Sequence, residues 1–140
     1  MALGRRLGGL LRGCDVVCLD GDLGSGKTTL TRGLARGAGS RSRVASPTFS
    51  LARVYRSARW LIYHLDLYRV GADQTRDIGL EEFTSDPRGI CVVEWPKAGE
   101  AYYPKDRLEV KLTHLKAGRR LRFVARGPRS RQIIRIPRLH

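Results

Sequence analysis

The stretch Gly21-Asp22-Leu23-Gly24-Ser25-Gly26-Lys27-Thr28 restricts what this chain can fold into more than any other part of it. Its spacing, G-x-x-x-x-G-K-[ST], is that of a phosphate-cradling loop. Glycines permit a tight turn that aims successive backbone N–H groups inward at an anion. Lys27 then brings positive charge to the outer phosphates, and the Thr28 hydroxyl is suited to helping hold Mg²⁺. Such a loop works only between a strand and a helix, where the helix N-terminus adds its dipole. Both flanks are present. Asp15 to Asp20 is a short β-rich run. Lys27 to Ala38 carries Leu30, Leu34 and Ala38 at four-residue spacing, with Gly37 and Gly39 available to stop the helix.

The order of the remaining segments predicts an α/β chain. Phe49–Tyr55 and Trp60–Leu67 read as strands joined by a turn at Arg56–Arg59. Residues 73–84 read as helical in character, with Ile78, Leu80 and Phe83 as the apolar positions. Ile90–Glu94 is another apolar strand, and Pro96 ends it. From Arg107 onward, Leu108–Leu112, Leu121–Val124 and, in part, Ile133–Ile136 alternate with period two, as antiparallel strands with one wet face do. The expected architecture is a P-loop NTPase fold: a mainly parallel central sheet flanked by helices, with an antiparallel C-terminal part. A length of 140 residues with 41% hydrophobic content fits one domain over residues 1–140. The role of the basic tail, about 127–140, is left open.

Two strands end in acids, Asp66 and Glu94. In an open parallel sheet the strand carboxyl ends share one edge with the phosphate loop, so both can converge on its ligand. Hydrolysis needs such an acid to complete Mg²⁺ coordination and to order water. His64 reads as facing the core or a neighbour rather than acting in catalysis. Ser46-Pro47-Thr48 reads mechanically as a Ser-Pro turn whose hydroxyls could reach a metal or phosphate.

Composition narrows the setting. No apolar run reaches membrane-spanning length. Arg5, Arg6 and Arg12 without an acid raise the question of a transit peptide, but Leu3, Leu7, Leu10 and Leu11 on one face favour a short amphipathic helix. Three cysteines, with Cys18 and Cys91 inside predicted strands, suit a reduced, cytoplasmic compartment. The net charge of +14 is concentrated at the end of the chain: residues 101–140 hold 12 Lys/Arg against 2 Asp/Glu. That block suits a polyanion such as RNA, or simply a solvated arginine-rich surface. The absence of Asn removes a guanine-reading Asn-Lys-x-Asp. A small-molecule or nucleoside kinase, and an RNA-binding module with a vestigial nucleotide site, remain alternatives to an ATP hydrolase.

Four segments occur in order: Gly21 to Thr29, Ser46-Pro-Thr-Phe49, Tyr63-His-Leu-Asp-Leu-Tyr-Arg69 and Glu94-Trp95-Pro96. Over roughly residues 3–126 the chain resembles the TsaE (YjeE) family, the P-loop ATPase of bacterial tRNA threonylcarbamoyladenosine (t6A) biosynthesis. The resemblance implies a slow ATPase with ATP and Mg²⁺ as cofactors and the TsaB and TsaD proteins as partners, with tRNA met through that complex or through the basic tail. Gly21, Asp22, Leu23, Gly24, Ser25, Gly26, Lys27, Thr28 and Thr29 would then be the phosphate loop. Thr28 and Glu94 would hold Mg²⁺, and Asp66 would order water or the metal shell, so that Lys27, Asp66 and Glu94 form the catalytic set. Ser46, Pro47 and Thr48 would be a switch-like segment, and Trp95 part of a nucleotide-sensing or partner-facing loop. Arg119 falls where the family tends to have Gly-Arg near the nucleotide. Family members usually carry more residues before the first helix, so the base-binding side is where this chain departs from their pattern.

Overall fold

The structure, a computed structural model, describes residues 2–45, 47 and 51–135. Ser46 and Thr48, which the resemblance ties to a switch-like segment, lie outside the described residues, as does Phe49. The elements run α1 (Ala2–Gly8), β1 (Val16–Gly21), α2 (Lys27–Gly37), β2 (Ala52–Arg56), β3 (Leu61–Asp66), α3 (Ala72–Ile78), α4 (Leu80–Thr84), β4 (Gly89–Glu94), a 3₁₀ helix (Pro96–Tyr102), β5 (Leu108–His114), β6 (Arg119–Ala125) and α5 (Pro128–Ile134).

They form one six-stranded sheet in the order β2-β3-β4-β1-β5-β6. The four inner strands are parallel, and each edge strand is antiparallel to its neighbour. This is the expected P-loop architecture. Parallel strands covered on both faces need to be apolar throughout. β4 is buried at all six positions and β1 at its first four. Alternate residues feed two cores. Leu7, Leu19, Leu34, Ile62 and Val92 pack on the face carrying α1 and α2. Cys18, Leu65, Leu80, Val93 and Tyr103 pack on the other. Burial pushes the Cys18 thiol up to about 12, so this cysteine behaves as a small apolar residue. Among the described residues, no helix is long and apolar enough to cross a membrane.

The structure refines one expectation and corrects two. Residues 73–84 are two short helices, broken at Gly79, whose left-handed backbone (φ 74°) ends α3 and begins α4. Gly37 does not stop α2 but lies within it. The left-handed stop is Gly39, at φ 95°.

The second correction concerns the tail. Ile133 and Ile134 belong to α5, not to a strand. Pro128 opens that helix, and the Asp106 carboxylate accepts from Arg129 N–H (2.7 Å), Ser130 N–H (3.0 Å) and Ser130 Oγ (2.7 Å). Burial pushes the Asp106 carboxyl up, but these bonds outweigh it and its pKa falls below the usual value. Arg129 then reaches across to Asp15 (2.8 Å) and to the carbonyl of Leu10 (2.7 Å). The first part of the basic tail is therefore built into the fold, with Ile133 buried against the α1–α2 core.

Small residues set the packing of α1 on α2. Gly4 and Gly8 of α1 face Gly33 and Leu34 of α2, and Gly37 of α2 faces Arg5 and Gly9. A Cβ on Gly8 would come within 2.8 Å of the Leu34 carbonyl carbon and 2.9 Å of its Cα. Backbone cannot rotate out of the way as a side chain can, so overpacking here costs about 1–3 kcal/mol. Better helix propensity returns only about 1 kcal/mol or less. Gly8→Ala is therefore expected to lower the urea midpoint and the melting temperature. Gly9→Ala, whose Cβ would make ordinary contacts at 3.5 Å and beyond, is expected to change neither appreciably. Equal melting curves for the two variants would contradict the close packing of α1 on α2.

Candidate functional site

The loop after β1 turns through two left-handed glycines, Gly24 (φ 77°) and Gly26 (φ 99°), conformations that side-chain-bearing residues rarely adopt. Ser25 N–H donates to the Asp22 carbonyl at 3.0 Å, and Leu30 N–H donates to the Gly26 carbonyl at 2.9 Å as α2 begins. The Lys27 ammonium spans the loop from inside. It donates to the carbonyls of Gly21 (2.5 Å) and Asp22 (2.9 Å) and to Ser25 Oγ (3.3 Å). Burial lowers the Lys27 pKa below the ordinary lysine value, opposed by the charges of Glu94, Asp20, Asp66 and Asp22. A cation poorly solvated by water and surrounded by acceptors is primed for an anionic ligand.

Parallel registry brings the acids to the same edge. Asp66, the last residue of β3, stands directly beside Glu94, the last residue of β4. Glu94 is almost completely buried, and Thr28 Oγ1 lies 3.3 Å from Glu94 Oε1 and 3.5 Å from Oε2. A hydroxyl and a carboxylate at this separation, beside an anion-binding loop, form a set of oxygen donors that fits Mg²⁺. That ion typically takes one or two protein oxygens and completes its shell with phosphate and water. Among the described residues no trio of His, Cys, Asp and Glu could hold a metal alone. Lys27, Thr28, Asp66, Glu94, Trp95 and Arg119 line one cleft of about 320 Å³, with Thr29 at its edge.

The β5–β6 hairpin closes the far side. Arg119 pairs with His114 beside the turn that joins the two strands. A Cβ on Gly26 would sit 3.0 Å from the Arg119 guanidinium carbon, so the missing side chain of Gly26 makes room for Arg119. His114 Nε2 donates to the Gly24 carbonyl at 2.5 Å, tying the loop to β5. On the opposite wall, the Trp95 ring centre lies 4.1 Å from Lys27 Nζ and 4.7 Å from that of Tyr68, the two rings tilted by 46°. Trp95 is one of two non-glycine residues with positive φ (54°) among the described residues. Such strain, about 1–3 kcal/mol, persists where the surroundings impose it.

The structure thus brings Gly24, Gly26, Lys27, Thr28, Asp66, Glu94, Trp95 and Arg119 together. Gly21 and Asp22 supply carbonyls for Lys27 instead of lining the cleft. Pro47 is buried but does not line it. Two histidines escaped the sequence reading as site residues. His64 is fully buried and its Nε2 bonds the Glu94 carboxylate. Strand period two, which places residue 64 on the same face as residue 66, could have found it. His114 had no such signal, because its role depends on β5 passing beside the loop.

A glycine loop between a strand and a helix, an interior lysine, and two acids on the neighbouring strand ends define a protein of the P-loop class. Comparison with known proteins agrees. Residues 1–121 match the family described as "Threonylcarbamoyl adenosine biosynthesis protein TsaE". The "tRNA threonylcarbamoyladenosine biosynthesis protein TsaE" of Streptomyces coelicolor is 46% identical over 114 residues, 79% of this chain and 76% of that protein. The protein of the same name from Bacillus subtilis is 41% identical over 118 residues, 82% of this chain and 72% of its own. The crystal structure of Bacillus subtilis YdiB superposes with a TM-score of 0.82 at 31% identity, covering 96% of this chain and 83% of that one. The chain belongs to the TsaE family.

Proposed function

We propose that this protein is the Mg²⁺-dependent ATPase subunit of the t6A modification machinery, hydrolysing ATP to support the cycle of the TsaB–TsaD complex. The observation that carries the proposal is the convergence of Lys27, Thr28, Asp66, Glu94 and Arg119 on the cleft beside the glycine loop. In this reading Gly21 to Thr29 hold the phosphates, with Lys27 exchanging a loop carbonyl for a phosphate oxygen. Thr28 and Glu94 hold Mg²⁺, which neutralises charge on the phosphates when bound. Asp66, in register with Glu94, orients the attacking water. Arg119 supplies charge to the leaving phosphates from the hairpin side.

Partner binding is supported by Tyr68 and Leu23, large side chains exposed at the mouth of the cleft (51% and 69%). Among the described residues, Lys111, Arg120 and Arg122 are exposed on one face of the β5–β6 hairpin, which suits the phosphate backbone of tRNA. Ser46, Pro47 and Thr48 are the switch-like segment of this reading.

The experiment is ATP hydrolysis with and without Mg²⁺, alone and with TsaB and TsaD. Weak Mg²⁺-dependent turnover that rises with the partner pair is expected. No turnover in any arm would sink the proposal. Transfer of labelled phosphate to a metabolite would replace it with a kinase, and ATP-insensitive, salt-sensitive RNA binding without turnover would replace it with an RNA module.

A further inference from the structure

A chain of buried polar groups runs from Glu94 away from the cleft, and nothing in the proposed chemistry uses it. His64, Tyr55 and Glu94 are 0%, 3% and 3% exposed. The Glu94 carboxylate can only accept, so His64 Nε2 carries the hydrogen between them. The other ring nitrogen, Nδ1, lies 3.0 Å from the Tyr55 hydroxyl. That hydroxyl accepts from the Ala45 N–H at 3.3 Å, and its single hydrogen is shared between Nδ1 and the Ala45 carbonyl, 2.9 Å away. Ala45 immediately precedes Ser46-Pro47-Thr48 in the chain. Registry explains how these groups meet. His64 stands between Arg53 on β2 and Val92 on β4, two positions before the acid on its own strand.

We propose that His64 and Tyr55 are positioning residues that hold the Glu94 carboxylate toward Thr28 and couple its position to the backbone at Ala45. A buried carboxylate oxygen cannot leave His64 without orphaning a buried N–H, and His64 cannot shift without disturbing Tyr55. Rearrangement of Glu94 around a cation therefore moves the Tyr55–Ala45 contact, and by reciprocity the position of the Ala45 backbone alters cation affinity. The inference rests on the ATPase reading for the ligand that rearranges Glu94.

Tyr55→Phe removes the hydroxyl and keeps the ring. His64→Gln keeps a donor for Glu94 but does not reach Tyr55. Both lie outside the cleft lining, and the test reads amide hydrogen exchange in wild type and both variants, with and without a non-hydrolysable ATP analogue and Mg²⁺. In wild type, protection is expected to change both in the loop 21–28 and at residues 44–45 and 51–55. In the variants the loop response is expected to persist while the second response is lost. The Mg²⁺ concentration needed for half-maximal analogue binding should rise about fivefold or more, with binding in EDTA unchanged. A purely structural role would lower the melting temperature without moving the Mg²⁺ dependence. A loop response in wild type without a response at 44–55, or an equal response in the variants, overturns the coupling and leaves the ATPase reading intact. No loop response in wild type overturns both.

Discussion

Replacing Lys27 by alanine is expected to lower ATP turnover by roughly a hundred- to a thousandfold, the loss seen when one preorganised donor is removed from a developing charge. The Lys27 ammonium lies inside the loop, held there by Gly21, Asp22 and Ser25. Its removal also leaves Glu94, Asp20, Asp66 and Asp22 without their central counter-charge, so ATP binds more weakly to a cleft of like sign. The fold itself should survive. The folded protein holds the Lys27 proton less tightly than the unfolded chain does, so the lysine contributes least to stability when protonated. Wild-type stability relative to Lys27→Ala should therefore rise as pH climbs from the lowered Lys27 pKa toward 10.5, the ordinary value. Single-turnover hydrolysis and urea unfolding at several alkaline pH values check the two halves. A variant that hydrolyses ATP at a rate near wild type would remove Lys27 from the chemistry.

What made Lys27 legible beforehand is that its motif is local. The glycine spacing, the β-rich run before it and the four-residue leucine spacing after it lie within about two dozen residues, and each obeys its own periodicity. Asp66 and Glu94 were legible because both end apolar strands, and parallel registry then set them side by side. Features decided at long range were not legible. Ile133-Ile134 is an apolar pair that strand and helix periodicities both accept, and the helix won because Asp106 caps it and Asp15 holds Arg129. Gly37 looks like a stop signal locally, but it is a close-contact position for Arg5 of α1. Arg119 entered only through family resemblance, since nothing near it in sequence says that the hairpin lays it against Gly26. The buried partner of Glu94 was in plain view at residue 64: strand period two sets it on the face of Asp66, but its reach across to Glu94 depends on the pairing of β3 with β4.

Glu94 tests whether the acid serves the metal or only the packing, because two substitutions separate these roles. Glu94→Ala removes both Thr28's partner and the acceptor for His64 Nε2. With His64 fully buried, the orphaned donor costs about 1–3 kcal/mol of stability. Glu94→Gln keeps the shape and a carbonyl acceptor for His64, so its stability should stay within about 1 kcal/mol of wild type. An amide carries no charge to hold Mg²⁺, however. Several kilocalories of transition-state stabilisation go with the metal, so turnover in both variants should fall by roughly a hundredfold or more. Urea midpoints and Mg²⁺ titrations of turnover, run on both, give a specific pattern. Alanine should lose stability and activity together, whereas glutamine should lose activity alone. A glutamine variant with wild-type Mg²⁺ dependence would move the metal away from Glu94, leaving Asp66 as the acid beside Thr28 at the end of the neighbouring strand.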